Sequence, residues 1–246
     1  RWTADGVVVC AAGNYQIVPG IVPDGASGAI VAWTDSRALT HQDVYAQRMD
    51  SSGVAQWAAN GVAACAAAGN QGSPVLDADG AGGVALAWYD YRAGATPDLY
   101  AQRLSGAGAA LWAANGVAVC TAAGLQSSPA ISADGTGGAV VSWLDYRSRI
   151  EQDVYAQRIS GAGAAAWTAD GVAVRAQGVQ HAPCTVAGSG GATIVAWQEK
   201  RGGQYDILAR AFSSSGAPLW PATLLCAATD AQTRPVIASD GAGGAI

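Results

Sequence analysis

Residues 124–175 read GLQSSPAISADGTGGAVVSWLDYRSRIEQDVYAQRISGAGAAAWTADGVAVR, and the same markers return in the same order along the chain. Trp2, Trp57, Trp112 and Trp167 are each 55 residues apart, with Trp220 following after 53. A second series, Trp33, Trp88, Trp143 and Trp197, is spaced by 55, 55 and 54, so the two series account for all nine Trp. Gln-x-x-Pro recurs at Gln16/Pro19, Gln71/Pro74, Gln126/Pro129, Gln180/Pro183 and Gln232/Pro235. Asp-Gly follows it at Asp24, Asp79, Asp134 and Asp240, with Gly188-Ser189 as the one departure. Several markers held in phase over successive periods define an internal repeat, and the repeat is the first thing a fold must explain.

One period carries four strand signals. SPAISA is short and follows the Gln; DGTGG supplies the positive φ angles of a tight hairpin. AVVSWLDYR is the second strand, DVYAQRIS the third after the loop SRIEQ, and VAVR the fourth after a Gly-rich turn. Four short antiparallel strands in roughly 50 residues is the arithmetic of one propeller blade. AIVAW (29–33), VALAW (84–88) and AVVSW (139–143) are apolar or small on both faces. Such strands need cover on both sides, as blades stacked face to face provide. DVYAQR alternates, Val154 and Ala156 against Tyr155 and Gln157, which suits a strand nearer the rim. The reading is therefore all-β, a β-propeller of four-stranded antiparallel blades with about 55 residues per repeat. It has four complete blades plus a partial or composite fifth; a linear stack of sheets would use the same faces.

The domain is the array, residues 1–246, because one repeat cannot bury its own faces. Repeats run over about 14–65, 69–120, 124–175 and 178–226. Residues 230–246 begin a fifth, and residues 2–10 have a fourth-strand sequence. These terminal segments are apolar enough that pairing is expected. They pair as a piece of a longer array, as one imperfect blade, or through strands of neighbouring copies, which would give an oligomer or filament.

Composition narrows function. The 246 residues are 50% hydrophobic and 13% charged with net charge −5, and the cations are twelve Arg and one Lys. This excludes a disordered chain, a membrane-spanning helix, and electrostatic binding to nucleic acid or anionic lipid.

Taken together, the motifs resemble a class of secreted bacterial repeat proteins. Their units read P-x-I-x-x-DG-x-GGA-x-V-x-W-x-D-x-R, then DVYAQR, then W and GV-x-V-C. The resemblance covers nearly the whole chain. It implies a β-propeller and an exported, often cell-surface setting, and no established catalytic reaction. The fourth copy departs, with Leu208, Arg210 and Ala211 in place of Tyr, Gln and Arg. Sialidase Asp-box and WD-repeat signatures are absent.

The polar motifs repeat too. Asp35/Arg37, Asp90/Arg92, Asp145/Arg147 and Glu199/Arg201 follow the inner Trp. Paired carboxylates are how glycosidases work, but near-identical copies point to a structural ion pair in each blade. Asp77 and Asp79 offer too few ligands for Ca²⁺ across the repeats, and no C-x-x-C or Cys/His cluster suggests zinc. No metal or cofactor is expected. Cys10, Cys65, Cys120 and Cys226 hold equivalent places too far apart to bridge, Arg175 replaces the fourth, and Cys184 lies outside the series. No hydroxyl–His–Asp set is proposed from spacing around His41 and His181.

What differs among copies marks the contact surface. The loop between second and third strands reads ALTHQ, AGATP, SRIEQ or GGQ, and shares an end with the connection between blades. That end is expected to gather Tyr15, His41, Tyr89, Tyr91, Tyr146, Arg149, Glu151, His181 and Tyr205, side chains suited to interfaces and sugar stacking. The function expected from these residues is a non-enzymatic extracellular structural or interaction module with protein or surface-glycan partners. The alternative is a carbohydrate-binding propeller or a glycoside hydrolase.

Overall fold

The computed structural model describes residues 5–148 and 150–246, the side chain of Ser189 apart. Sixteen strands form four sheets. Blade 1 consists of β1 (Gln16–Pro23), β2 (Ala29–Asp35), β3 (Asp43–Met49) and β4 (Val62–Cys65). Blade 2 consists of β5 (Gln71–Ala78), β6 (Val84–Asp90), β7 (Asp98–Leu104) and β8 (Val117–Cys120). Blade 3 has β9 (Gln126–Ala133), β10 (Ala139–Asp145), β11 (Asp153–Ile159) and β12 (Val172–Arg175). Blade 4 has β13 (Gln180–Ala187), β14 (Thr193–Arg201), β15 (Gln204–Phe212) and β16 (Thr223–Cys226). In each sheet the spatial order is the chain order. The one helical turn described is a three-residue 3₁₀ turn, Ser189–Gly191.

This is the all-β propeller arrangement, with four complete blades and a partial fifth. The partial blade docks on blade 4 as β5 docks on blade 1: Gln232 N donates to Tyr205 O at 2.8 Å, as Gln71 N does to Gln42 O at 2.7 Å. Beyond this, residues 230–246 make an isolated bridge, Ser239 with Ala245, rather than a ladder. At the other end, Ala11 N donates to Asn60 Oδ1 at 2.8 Å, the bond that Ala66 N makes to Asn115 Oδ1 at 3.0 Å after β4. Residues 5–10 thus take the place of a preceding fourth strand without forming a ladder, and residues 2–4 of that expected strand lie outside the described residues.

The chain divides into two compact units, residues 1–118 and 119–246, with the division inside β8. In the first unit, first strands of successive blades touch, β1 against β5; in the second, β9 lies against β13. Each unit has its own core. Ile30, Val44, Val84, Leu86, Trp57 and Trp88 form one, and Val140, Val154, Val195, Trp167, Trp197 and Phe212 the other. The second strands are buried on both faces, β10 along its full length.

The third strands depart from the expected alternation. Gln47, Gln102 and Gln157 are fully buried. Each donates Nε2 to the carbonyl of the following turn, at 2.8 Å to Ala58, Ala113 and Thr168. Their Oε1 atoms accept from Trp57 N, Trp112 N and Trp167 N at 3.0–3.1 Å. A polar residue in a strand can be buried when all its polar atoms find partners, so Gln here marks a staple and not a wet face. The turn it grips ends in a glycine that nothing else can replace: Gly61, at φ 86°, has the Trp33 ring 2.7 Å from where a Cβ would sit.

Gln-x-x-Pro is a bulge. The residue before each Pro adopts positive φ: Val18 at 52°, Ser73 at 53°, Ser128 at 52°, Ala182 at 46° and Arg234 at 54°. The register of β1, β5, β9 and β13 slips at this point. The Gln side chain ties down the incoming connection, as Gln71 Nε2 does to Ala68 O at 3.1 Å.

Candidate functional site

Two repeated clamps account for most of the buried charge. In the first, Trp33 Nε1 donates to Asp35 Oδ2 at 2.7 Å. Arg37 Nε and its backbone N both donate to Oδ1 at 2.8 Å. The guanidinium also reaches Asn60 O at 2.7 Å and lies 3.7 Å over the Tyr45 ring. Asp90/Arg92 and Asp145/Arg147 repeat this set. These Asp side chains have no exposed surface. The second clamp joins the hairpin Asp to the third-strand Arg: Asp24 with Arg48, Asp79 with Arg103, Asp134 with Arg158. Asp79 Oδ1 also accepts from Ala81 N and Gly83 N at 2.8 Å each, so its oxygens are used as a turn and not held for a cation. Among the described residues, no three His, Cys, Asp or Glu are grouped to share a metal ion.

Blade 4 breaks both clamps. Arg201 stands 4.0 Å from Glu199 and 3.9 Å from Asp206. Glu199 is instead gripped from blade 3 by Arg175, whose Nε and Nη2 donate at 2.7 and 2.9 Å. In blades 1 and 2 the residue equivalent to Arg175 is a cysteine touching the next clamp: Arg92 Nη2 lies 3.3 Å from Cys65 Sγ. The hairpin Asp and its Arg are absent together, replaced by Gly188 and Ala211. The Gln staple is replaced by Arg210. Sequence reading noted each change singly; their correlation becomes visible once the pairs are known.

At the loop end of blade 1, Ser36, Leu39, Thr40, His41, Gln42 and Asn70 line a pocket of about 340 Å³. His41 Nδ1 is 2.9 Å from Thr40 Oγ1, and Nε2 is 3.3 Å from Asp43 Oδ1. Asn70 Oδ1 accepts from Gln42 N at 3.0 Å, and Asn70 O accepts from Tyr91 N at 2.8 Å. Asp43 lies opposite Asp35 in the β2–β3 register. The two carboxyls are pushed apart. Burial raises Asp43 above the usual carboxylate range, with Asp35 adding to it and His41 opposing. Burial acts the same way on Asp35, but hydrogen bonds from Arg37 and Trp33 outweigh it and hold that carboxyl below the range.

The expected contact residues fall into separate groups. Tyr15, 76% exposed, accepts from Ser36 N through its carbonyl at 2.9 Å and so stands with His41 at one loop end, as Tyr91 does through Asn70. Tyr89 lies within β6, opposite Gly72, and is half-buried. In the second unit, His181 meets Tyr205 edge to face at 5.5 Å, Tyr146 is half-buried and Glu151 exposed. Arg149 lies outside the described residues. All five cysteines are free thiols. Thr40 and Asn70 were missed, since they sit in loops whose spacing alone indicates no partner; Arg175 and Arg210 were visible in sequence as departures from the repeat but not as site residues.

No family model and no curated protein matches the sequence. Solved structures do resemble it. An α-L-arabinanase from Penicillium chrysogenum, complexed with arabinobiose, superposes with TM-score 0.51 at 14% identity, over 92% of this chain and 69% of that one. An endo-arabinase from Bacteroides thetaiotaomicron gives TM-score 0.49 at 16% identity, over 97% of this chain and 90% of that one. A protein of unknown function from Dyadobacter fermentans gives 0.49 at 11%, over 85% and 69%. The expectation of a non-enzymatic module is corrected by this finding: the fold is one the chain has in common with an α-L-arabinanase. Repetition of the clamps describes the scaffold only; chemistry on a propeller belongs to residues that do not repeat. Among the described residues, no helix is long and apolar enough to cross a membrane.

Proposed function

We propose that the protein is a carbohydrate-acting β-propeller of the glycoside-hydrolase kind, taking its glycan at the loop end of the blades. The observation that carries this is the polar pocket of blade 1, beside Tyr15 and Tyr91, whose one imidazole is held between a hydroxyl and a buried carboxyl. Tyr faces stack on sugar rings, and the Thr, Gln and Asn groups match sugar hydroxyls. His41, backed by Asp43, is the proton-transfer group of this reading. The clamp carboxylates Asp35, Asp90 and Asp145 are sealed under Trp and Arg and serve the scaffold.

The shared fold with an arabinanase supports the substrate class. Export to the extracellular space, membership in the secreted repeat class, and pairing with other chains belong to the same proposal. The test is turnover of a panel of aryl glycosides and polysaccharides, arabinan included, with binding followed by calorimetry. His41→Ala should lower turnover at least ~10²-fold, and Tyr91→Ala should weaken binding about tenfold. Absence of both binding and turnover across the panel would overturn the reading.

A further inference from the structure

Among the described residues, the Arg210 guanidinium of blade 4 has no carboxylate in ion-pair contact. Arg210 occupies the place where Gln47, Gln102 and Gln157 staple their own turns. It leaves that role and reaches across to blade 3, where Nη1 donates to Val174 O at 3.0 Å. Its Nε is buried with no hydrogen-bond partner. The nearest aromatic interaction, to Phe212, is long at 5.4 Å. Arg210 and Arg175 line a cavity of about 330 Å³ whose other walls are Ala173, Val174, Ala176, Gln177 and Ala222. Arg175 is already matched by Glu199. Two guanidinium groups thus line the cavity against the one carboxylate of Glu199, and its other lining residues, small apolar side chains and the neutral Gln177, supply no second anion.

A half-buried guanidinium with a single neutral partner carries an uncompensated desolvation cost. The chain accepts this cost in one blade out of four, although the Gln solution is present three times. On a protein of net charge −5, such a spot is a local attraction for one negative group, and a planar guanidinium suits a carboxylate. We propose that this cavity, within the second unit, is a site for the carboxylate of an acidic sugar, a uronic acid. The inference rests on the carbohydrate reading above and assigns that reading a substrate class.

The experiment compares binding of an oligogalacturonide with its methyl-esterified form, and of free acetate, by calorimetry at low and high salt. Wild-type protein should prefer the acid form at least tenfold, with the preference lost in high salt. Arg210→Gln, which restores the residue of the other blades and therefore its staple, should erase that preference, so that the acid form binds no better than the ester. Arg210→Lys should retain part of it. Equal binding of acid and ester by wild type, or an unchanged preference in Arg210→Gln, overturns the subsite. If neither oligosaccharide binds while acetate does so in an Arg210-dependent way, the anion site stands and the uronic-acid assignment falls, whereas the glycan reading falls only with the wider panel above.

Discussion

At the scale of single residues, two acid–Arg pairs with the same spacing in sequence, Asp90/Arg92 and Glu199/Arg201, differ in energetic weight. Asp90 is fully buried, and Arg92 is mostly covered and clamps it through Nε and its backbone N. Removing one partner of a buried pair strands the other charge. Arg92→Ala should therefore cost about 3 kcal/mol, read as a lower urea midpoint. Arg201 is 46% exposed and only 4.0 Å from Glu199, so Arg201→Ala should change stability by less than ~0.5 kcal/mol; equal losses would refute the assignment of Arg175 as the fourth clamp. From sequence the Asp-x-Arg spacing was legible as a bond, but the exchange of partners in blade 4 was not, because Arg175 lies 24 residues before Glu199. The thiols give a second residue-scale test. Burial pushes Cys65 and Cys184 up to about 11 and Cys120 to about 12. Since the thiolate is the nucleophile, alkylation of these three at pH 8 should be at least ~10²-fold slower in the native protein than in denaturant. Equal rates would show that the cores are open.

At the scale of elements, the first strands store strain that the others do not. Positive φ is costly for a β-branched residue, yet Val18 holds 52° at the bulge of β1. Its side chain is 52% exposed, so little packing is lost on its removal. Val18→Gly should thus raise stability by about 1 kcal/mol, measured as an increased denaturation midpoint; a decrease would mean that Val18 is covered in solution. The strands themselves were legible, since apolar runs and Asp-Gly hairpins specify local pairing. The fourth strand of blade 3 falls at Val172–Arg175 as its sequence predicts. The bulge was not legible, because Gln-x-x-Pro only marks the place: the turned residue before Pro is Val, Ser, Ala or Arg, none of which signals positive φ. The third strand misled for a related reason, as alternation cannot distinguish a solvated Gln from one buried in a staple.

At the scale of the whole molecule, the repeated carboxyls should set the response to acid, and they pull in two directions. Asp24, Asp35 and Asp134 are held below the ordinary carboxyl value of 3.8. Burial opposes this in each, but their hydrogen bonds and Arg partners prevail. Such groups stabilise the fold fully above 3.8, and that contribution is lost as pH falls through their folded values. Asp43 and Asp153 are raised above 3.8 by burial first, and then by the facing Asp35 and Asp145; for Asp43, His41 opposes the rise and exceeds the effect of Asp35. Their contribution is present below 3.8 and is lost as pH rises through their folded values. Stability should therefore increase modestly from neutral pH to about pH 5 and fall steeply below about pH 4. Asp153→Asn should flatten the upper limb, because it removes a buried charge while keeping an acceptor. Asp134→Asn should shorten the acid limb, because its clamp no longer titrates. The fold-wide repetition that makes this curve predictable is also why the candidate sites were hard to read: they lie in what the copies do not share, His41 in the first unit and, separately, Arg175 and Arg210 in the second. Urea midpoints between pH 3 and 8 measure the curve; an acid limb in Asp134→Asn identical to that of the wild type would show that the hairpin clamps do not carry the acid stability.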